Sequence, residues 1–140
     1  MLMRLIYASE ASQPMGPGEL EALLAGARRG NERRALKGLL EFDHRAFLQV
    51  LEGEAERVSE VFCRIAADTR HRRVLMIDAR AVAERLFGDW SMGFAAADAA
   101  GSAQFLRFGG SAGFDPHALG AASALGLLRA LGPSASGATA

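Results

Sequence analysis

The sequence predicts an α+β fold in which an antiparallel sheet carries two helices on one face. Three observations predict it: apolar runs of strand length, two stretches with apolar residues at helical spacing, and short connections between them. In chain order the elements read β-α-β-β-α-β-β, which is a ferredoxin-like arrangement, and short connections favour that topology. Unrelated activities share this fold, so the fold class names no function.

Length and charge set the first limits. The 140 residues match one domain, and 16 basic residues balance 16 acidic ones. A neutral chain is a poor nucleic-acid binder, and the basic residues clustered over 28–37 are interpreted as solvated surface. A single Cys63 excludes an internal disulfide and fits a reducing cytoplasm, and no apolar run approaches the roughly 20 residues of a membrane span. We therefore expect a soluble cytoplasmic domain.

The first strand is predicted over residues 2–8, followed by the turn-rich segment SQPMGPG. A helix is predicted from about residue 18 to 29, because apolar residues recur there at helical spacing: Leu20, Leu23, Leu24 and Ala27. Gly30 and Asn31 both tolerate left-handed geometry and are expected to end this helix.

Two apolar runs around the polar turn DHR predict a β-hairpin over residues 35–42 and 46–54. The second helix is predicted over 54–68, with an inner face made of Val58, Val61, Phe62 and Ile65. A fourth strand is expected over 73–83, and residues 84–96 are expected to hold a loop and a short fifth strand.

A C-terminal helical extension is predicted over residues 98–132. Asp115 is a suitable N-cap and Pro116 a suitable first helical residue, which places a helix at 116–131. Its apolar stripe consists of Leu119, Leu125, Leu128 and Leu131. The stripe packs either on the free sheet face or against a partner. Residues 133–140 are small and polar and are expected to be disordered.

The stretch FLQVLEGE places a glutamine in an otherwise apolar strand. Alternate side chains share a face, so Gln49 lies with Phe47 and Leu51 and is expected to be buried. A buried amide without partners costs about 1–3 kcal/mol. Tyr7, the only tyrosine, lies on the first strand, which neighbours the third in this topology. A Tyr7–Gln49 hydrogen bond follows, and it either specifies strand register alone or serves a site.

Few other patterns indicate chemistry. The sequence has no glycine-rich phosphate loop, and its three histidines lack metal-like spacing. Arg64 and Asp68 are four residues apart and share a helix face beside Ile65. They form either a surface ion pair or a charged contact for an anionic cofactor between the helices. In the second case Leu23 and Ile65 would flank a flat ring.

Four stretches resemble the BLUF family of blue-light receptors that use FAD: RLIYAS (4–9), FLQVLEGE (47–54), RIAADTRH (64–71) and FGDWSMGF (87–94). With an asparagine after the first helix they occur in the family's order and spacing. The resemblance covers roughly residues 2–97, so a BLUF flavin-binding domain is expected over 1–97.

The resemblance implies roles for the polar residues. Tyr7 would donate an electron and a proton to the photoexcited flavin, and Gln49 would bridge Tyr7 and the flavin edge and rearrange after illumination. Asn31 would hydrogen-bond the polar edge of the ring. Trp90 and Met92 would belong to the mobile segment that passes the signal outward.

It also implies how the cofactor is held. Leu23 and Ile65 would clamp the ring, while Arg64 and Asp68 would contact the ribityl-phosphate portion. Two residues that match the end of the helix motif are expected near the cofactor: Arg70 and His71.

The chain departs from the family pattern at two places. The first of two common asparagines is Gly30, which removes a possible flavin contact, and the common G-I-T-G is ALKG at 35–38. Photochemistry is expected to survive both changes, with an altered flavin affinity or recovery rate.

A light sensor without enzymatic turnover is therefore the leading interpretation. The alternatives are a ferredoxin-like interaction module that has lost flavin, and a flavin enzyme. The output is expected to pass to a separate protein partner or through an oligomer such as a homodimer, with the 116–131 helix as contact surface. On that interpretation Leu128→Asp changes assembly and leaves the absorption spectrum alone.

Overall fold

The computed structural model describes residues 1–97, 105–108 and 113–137. Within them, one sheet contains β1 (Leu2–Ala11), β2 (Lys37–Phe42), β3 (Ala46–Glu54), β4 (His71–Ala81) and β5 (Gly93–Ala96). The helices are α1 (Pro17–Arg33), α2 (Ala55–Ala67) and α3 (Ala121–Leu131). The strand order is β4-β1-β3-β2-β5, antiparallel except for the parallel pair β2 and β5. The predicted ferredoxin-like arrangement is confirmed.

Side chains alternate between two buried cores, one on each face of the sheet. On one face Tyr7 and Leu51 pack with apolar residues of α1 and α2. On the other face Ile6 and Val50 pack with α3. Because side chains of a strand alternate in direction, neighbouring residues in β1 and β3 enter different cores. The sheet is thus covered by helices on both faces.

The leucine stripe of the C-terminal segment lies against the sheet. Leu119, Leu128 and Leu131 are 5%, 0% and 4% exposed and belong to the same core as Ile6. The expectation that this stripe is a partner surface is wrong, because packing on the free sheet face already covers it. The predicted single helix over 116–131 is also interrupted: a 3-10 turn (Pro116–Ala118) and extended backbone precede α3.

The end of the chain is more ordered than expected. Gly132–Ser134 form a 3-10 turn, although disorder was expected from residue 133 onward. Ser136 then pairs with Phe94 of β5 through backbone N–H···O distances of 2.9 and 3.0 Å. This bridge covers the outer edge of β5, which would otherwise present unpaired backbone groups. Residues 138–140 lie outside the described residues.

Helix α1 extends past its predicted end. Gly30 and Asn31 lie in its last turn, and the left-handed residue that follows the helix is Ala35, with φ of 53°. The continuation brings the Asn31 side chain inward, where it is 3% exposed and donates a hydrogen bond. The glycine at position 30 would otherwise favour termination here. The tertiary contact of Asn31 therefore extends the helix.

A buried ion pair fixes the segment that leads to β5. Glu52 is fully buried and accepts a hydrogen bond from Arg4 Nε at 2.7 Å. Its carboxylate also accepts the backbone N–H groups of Leu86 and Phe87. These bonds compensate the buried charge and anchor the loop before Trp90. None of the described helices is long and apolar enough to cross a membrane.

Candidate functional site

A cleft of about 240 Å³ opens between α1 and α2, with β1 and β3 as its floor. Small residues line its α1 side: Ala22, Gly26, Ala27 and Gly30. Val61 and Ile65 line the α2 side. Since small side chains keep one wall back from the other, the cleft has room for a flat group between the helices.

The cleft contains all but one of the predicted site residues. The ten that line it are Tyr7, Leu23, Asn31, Gln49, Arg64, Ile65, Asp68, Arg70, His71 and Met92. They come from five separate elements, the α2–β4 connection and the loop before β5, so the fold brings together residues up to 85 positions apart. Trp90 is the exception.

A chain of hydrogen bonds crosses the floor of the cleft. Tyr7 and Gln49 are directly opposite in the β1–β3 register, and the Tyr7 hydroxyl donates a short hydrogen bond to Gln49 Oε1. Gln49 Nε2 donates to Met92 Sδ at 3.3 Å. Burial, and secondarily the charge of Asp68, raises the pKa of Tyr7 well above its usual value. The phenol therefore keeps its proton at neutral pH.

Trp90 and Met92 lie on opposite faces of the sheet. Met92 is fully buried and lines the cleft, whereas Trp90 is 8% exposed and packs in the core that contains α3. A Cβ on Gly93 would approach the Trp90 ring to 2.7 Å, so the indole rests directly on the backbone of β5. The segment thus contacts the cleft and the opposite core at the same time.

Two α1 side chains hold the loop that carries Met92. Asn31 Nδ2 donates to Ser91 O at 2.6 Å, and Arg28 Nε donates to Met92 O at 2.9 Å. Asn31 is predicted to contact a cofactor, and it lines the cleft while one N–H of its amide binds the backbone. Arg28 belonged to the cluster interpreted as solvated surface, which is wrong for this residue. Its role has no sequence signal, since its partner is a backbone carbonyl.

Arg64 and Asp68 do not form the ion pair with each other that their spacing allows. Arg64 pairs with Glu60 at 2.9 Å and not with Asp68. Asp68 is the extended residue that caps α2, and it binds Arg70 at 2.7 Å. The hydrogen bonds from Arg70 lower the pKa of Asp68, so this carboxylate is ionised at neutral pH. Arg64, Asp68 and Arg70 line the cleft.

His71, the first residue of β4, also lines the cleft. Its Nδ1 lies 2.9 Å from Ser9 Oγ, and its ring lies 4.7 Å from that of Phe47. Burial lowers the pKa of His71 below 6.5, with Asp68 opposing the shift and Arg70 adding to it. The imidazole is therefore neutral at neutral pH.

This shift predicts a contribution of His71 to acid sensitivity. Because the folded-state pKa is below the unfolded value of 6.5, the unfolded chain binds more protons, and stability falls as the pH drops below 6.5. We expect wild type to lose more stability between about pH 7.5 and about pH 5.5 than His71→Asn, which cannot titrate. Melting temperatures across this range measure the difference. Parallel curves for the two proteins would contradict it.

The cleft fits an isoalloxazine ring. Its side walls are apolar at Leu23 and Ile65, and its floor offers the amide of Gln49 next to a phenol. Arginine side chains stand along the lining, where the phosphates of a dinucleotide would be compensated. No group of three His, Cys, Asp or Glu residues able to hold a metal occurs in the part of the chain that the structure describes. The fold and the lining of the cleft are those of a flavin-binding domain.

The comparisons with known proteins agree. Residues 2–93 match the family BLUF, described as sensors of blue-light using FAD, and the chain belongs to this family. The "Photoactivated adenylate cyclase subunit beta" of Euglena gracilis is 32% identical over 65% of this chain and 11% of that protein. The "Blue light- and temperature-regulated antirepressor BluF" of Escherichia coli is 30% identical over 66% of this chain and 23% of that protein.

Solved structures extend the similarity beyond the matched residues. BlsA in its ground state aligns with a TM-score of 0.84 and 30% identity, over 94% of this chain and 87% of that one. BlrB in its dark state aligns with a TM-score of 0.65 and 29% identity, over 68% of this chain and 72% of that one. The chain spans about a tenth of the cyclase subunit that it matches. The predicted family and its FAD cofactor are confirmed.

Proposed function

We propose that this chain senses blue light through FAD bound in the α1–α2 cleft, with Tyr7 as electron and proton donor and Gln49 as the side chain that rearranges. The supporting observation is the hydrogen bond from the Tyr7 hydroxyl to Gln49 Oε1 in the cleft floor. Leu23 and Ile65 clamp the ring. Four polar residues of the lining contact the rest of the cofactor: Arg64, Asp68, Arg70 and His71.

Bound FAD supplies a strong oxidant when it absorbs blue light, and a colour that depends on its hydrogen bonds. Tyr7 holds its proton because burial raises its pKa, so the donor to the flavin is a neutral phenol that gives up an electron and a proton and takes both back in the dark. Gln49 has a donor and an acceptor at opposite ends of one amide. A reversal of that amide exchanges its partners without moving the backbone.

The reversal has a consequence at Met92. A thioether sulfur accepts hydrogen bonds and donates none, so a Gln49 oxygen turned toward Met92 loses the 3.3 Å contact. Met92 O and Ser91 O remain held by Arg28 and Asn31. The change at Gln49 is therefore passed to the loop before β5, and from there to the Phe94–Ser136 bridge. A local rearrangement of this kind can bias a two-state element.

The output goes to a separate protein partner or to a change of oligomer, of which a homodimer is the simplest case. The named relatives differ in output: one is a subunit of a photoactivated cyclase and another an antirepressor. Neither a nucleic acid nor an anionic membrane surface is proposed as partner, because the basic and acidic residues balance.

The absorption spectrum of the purified protein tests this function. We expect a yellow protein whose visible bands shift to the red in blue light and return in the dark. A new hydrogen-bond donor at a flavin carbonyl stabilises the charge there, which lowers the transition energy. A colourless protein that also fails to take up added FAD would overturn the proposal and favour an interaction module without flavin.

A further inference from the structure

Arg34 lines the cleft, although no sequence pattern singles it out. Its side chain is 14% exposed. Nη1 donates to Gly30 O at 3.1 Å, and Nη2 lies 3.7 Å from Glu60 Oε1 across the opening on α2. Arg33, its neighbour in sequence, is exposed and does not line the cleft.

The Arg34 guanidinium lies next to Gly30. A Cβ at position 30 would lie 3.0 Å from Arg34 Nη1, so a side chain there would crowd the guanidinium and push it away. Glycine within a helix is destabilising relative to alanine, and here it leaves room for a cation at the cleft.

The charges at the opening are not balanced. Arg34 and Arg64 face the same carboxylate, Glu60, at 3.7 and 2.9 Å. Arg70 has its own partner in Asp68. Two guanidinium groups that share one carboxylate leave a positive charge at the place where the cleft meets solvent. The inner end, in contrast, is neutral at Tyr7 and Gln49.

We propose that Arg34 binds the phosphate groups of the flavin cofactor, and that its guanidinium occupies the space that a side chain at position 30 would otherwise fill. This inference rests on the proposed function, since it concerns the same cleft. Guanidinium forks match phosphate oxygens with two parallel hydrogen bonds, whereas the uncharged ring needs no cation at the opening. Arg34 thus selects the phosphorylated flavins over riboflavin.

A purely structural role makes a different prediction. The bond from Arg34 to Gly30 O satisfies a carbonyl in the last turn of α1, and a cation there also interacts favourably with the helix dipole. If that were all, loss of the guanidinium would weaken every flavin equally through a less stable helix. Phosphate selectivity therefore separates the two roles.

The test compares wild type, Arg34→Gln and Arg34→Lys, with Arg33→Gln as matched control. Each holoprotein is exchanged against riboflavin, FMN or FAD, and the dissociation constants are measured from flavin fluorescence on dilution. We expect Arg34→Gln to bind FMN and FAD about 10-fold more weakly and riboflavin within about 2-fold of wild type. Arg34→Lys keeps part of the selectivity, and Arg33→Gln matches wild type.

Gly30→Asn gives a second route if Arg34→Gln folds poorly. Its side chain displaces the guanidinium, so the preference for FMN over riboflavin should fall about as far as in Arg34→Gln. Equal losses for all three flavins, or unchanged constants in both variants, would overturn the phosphate contact. In either case wild type still binds flavin, which leaves the proposed function standing. A wild type that binds no flavin would overturn both.

Discussion

Gln49→Leu is expected to bind flavin and to show no red shift in blue light. Leucine has nearly the volume of glutamine, and Gln49 is 5% exposed, so the cleft keeps its shape. The substitution removes the acceptor of the Tyr7 hydroxyl and the donor of Met92 Sδ together. The expected effect is complete loss of the light-minus-dark difference spectrum in a protein that still carries flavin.

The matched control is Gln13→Leu, the same chemical change at an exposed position outside the cleft. It should shift as wild type does. A Gln49→Leu protein that also shifts as wild type would make Gln49 a core-packing residue, and the proposed switch would be wrong although the family assignment would stand. The dark spectrum of purified Gln49→Leu shows whether the variant still binds flavin, and this is measured before the response to light.

The part of the site that was predictable from the residues alone is the buried polar pair. An amide in an apolar strand needs a partner, and the ferredoxin-like order places Tyr7 on the neighbouring strand. The structure has this pair in direct register. Periodicity predicted the elements because strand alternation and helical spacing reflect which face is buried, and this sheet has a core on each face.

The contacts that the sequence did not predict are those of long charged side chains, whose partners do not follow from residue spacing. Arg28 and Arg34 belong to a run of charges that a solvated helix face also shows, and their partners, Met92 O and Gly30 O, are backbone carbonyls. Arg64 lies within reach of Glu60 on one side and of Asp68 on the other by spacing alone. Asp68 is drawn out of the helix to pair with Arg70.

The predicted end of α1 was wrong for a related reason. The end of α1 was placed by local residue preference at Gly30, yet the contact of Asn31 with Ser91, 60 residues later, extends the helix. The opposite directions of Trp90 and Met92 were also unpredictable, because the loop before β5 has no periodicity. The C-terminal stripe had two possible partners in the sequence, and only the packing of α3 on the sheet decides between them.

Leu128→Asp is therefore expected to destabilise the fold instead of altering assembly. Leu128 is fully buried in the core formed with Ile6, and truncation of such a leucine alone costs about 2–5 kcal/mol. An unpaired carboxylate in that core adds a desolvation cost, so we expect the free energy of unfolding to fall by about 4 kcal/mol or more. Urea unfolding of wild type and variant measures the change.

Ala122→Asp is the control, because Ala122 is exposed on the same helix. It should remain within about 0.5 kcal/mol of wild type. Since Leu128 and the cleft lie on opposite faces of the sheet, the folded fraction of Leu128→Asp should keep the wild-type dark spectrum. A Leu128→Asp protein of wild-type stability but altered size in solution would mean that the stripe meets a partner and that α3 does not pack on the sheet.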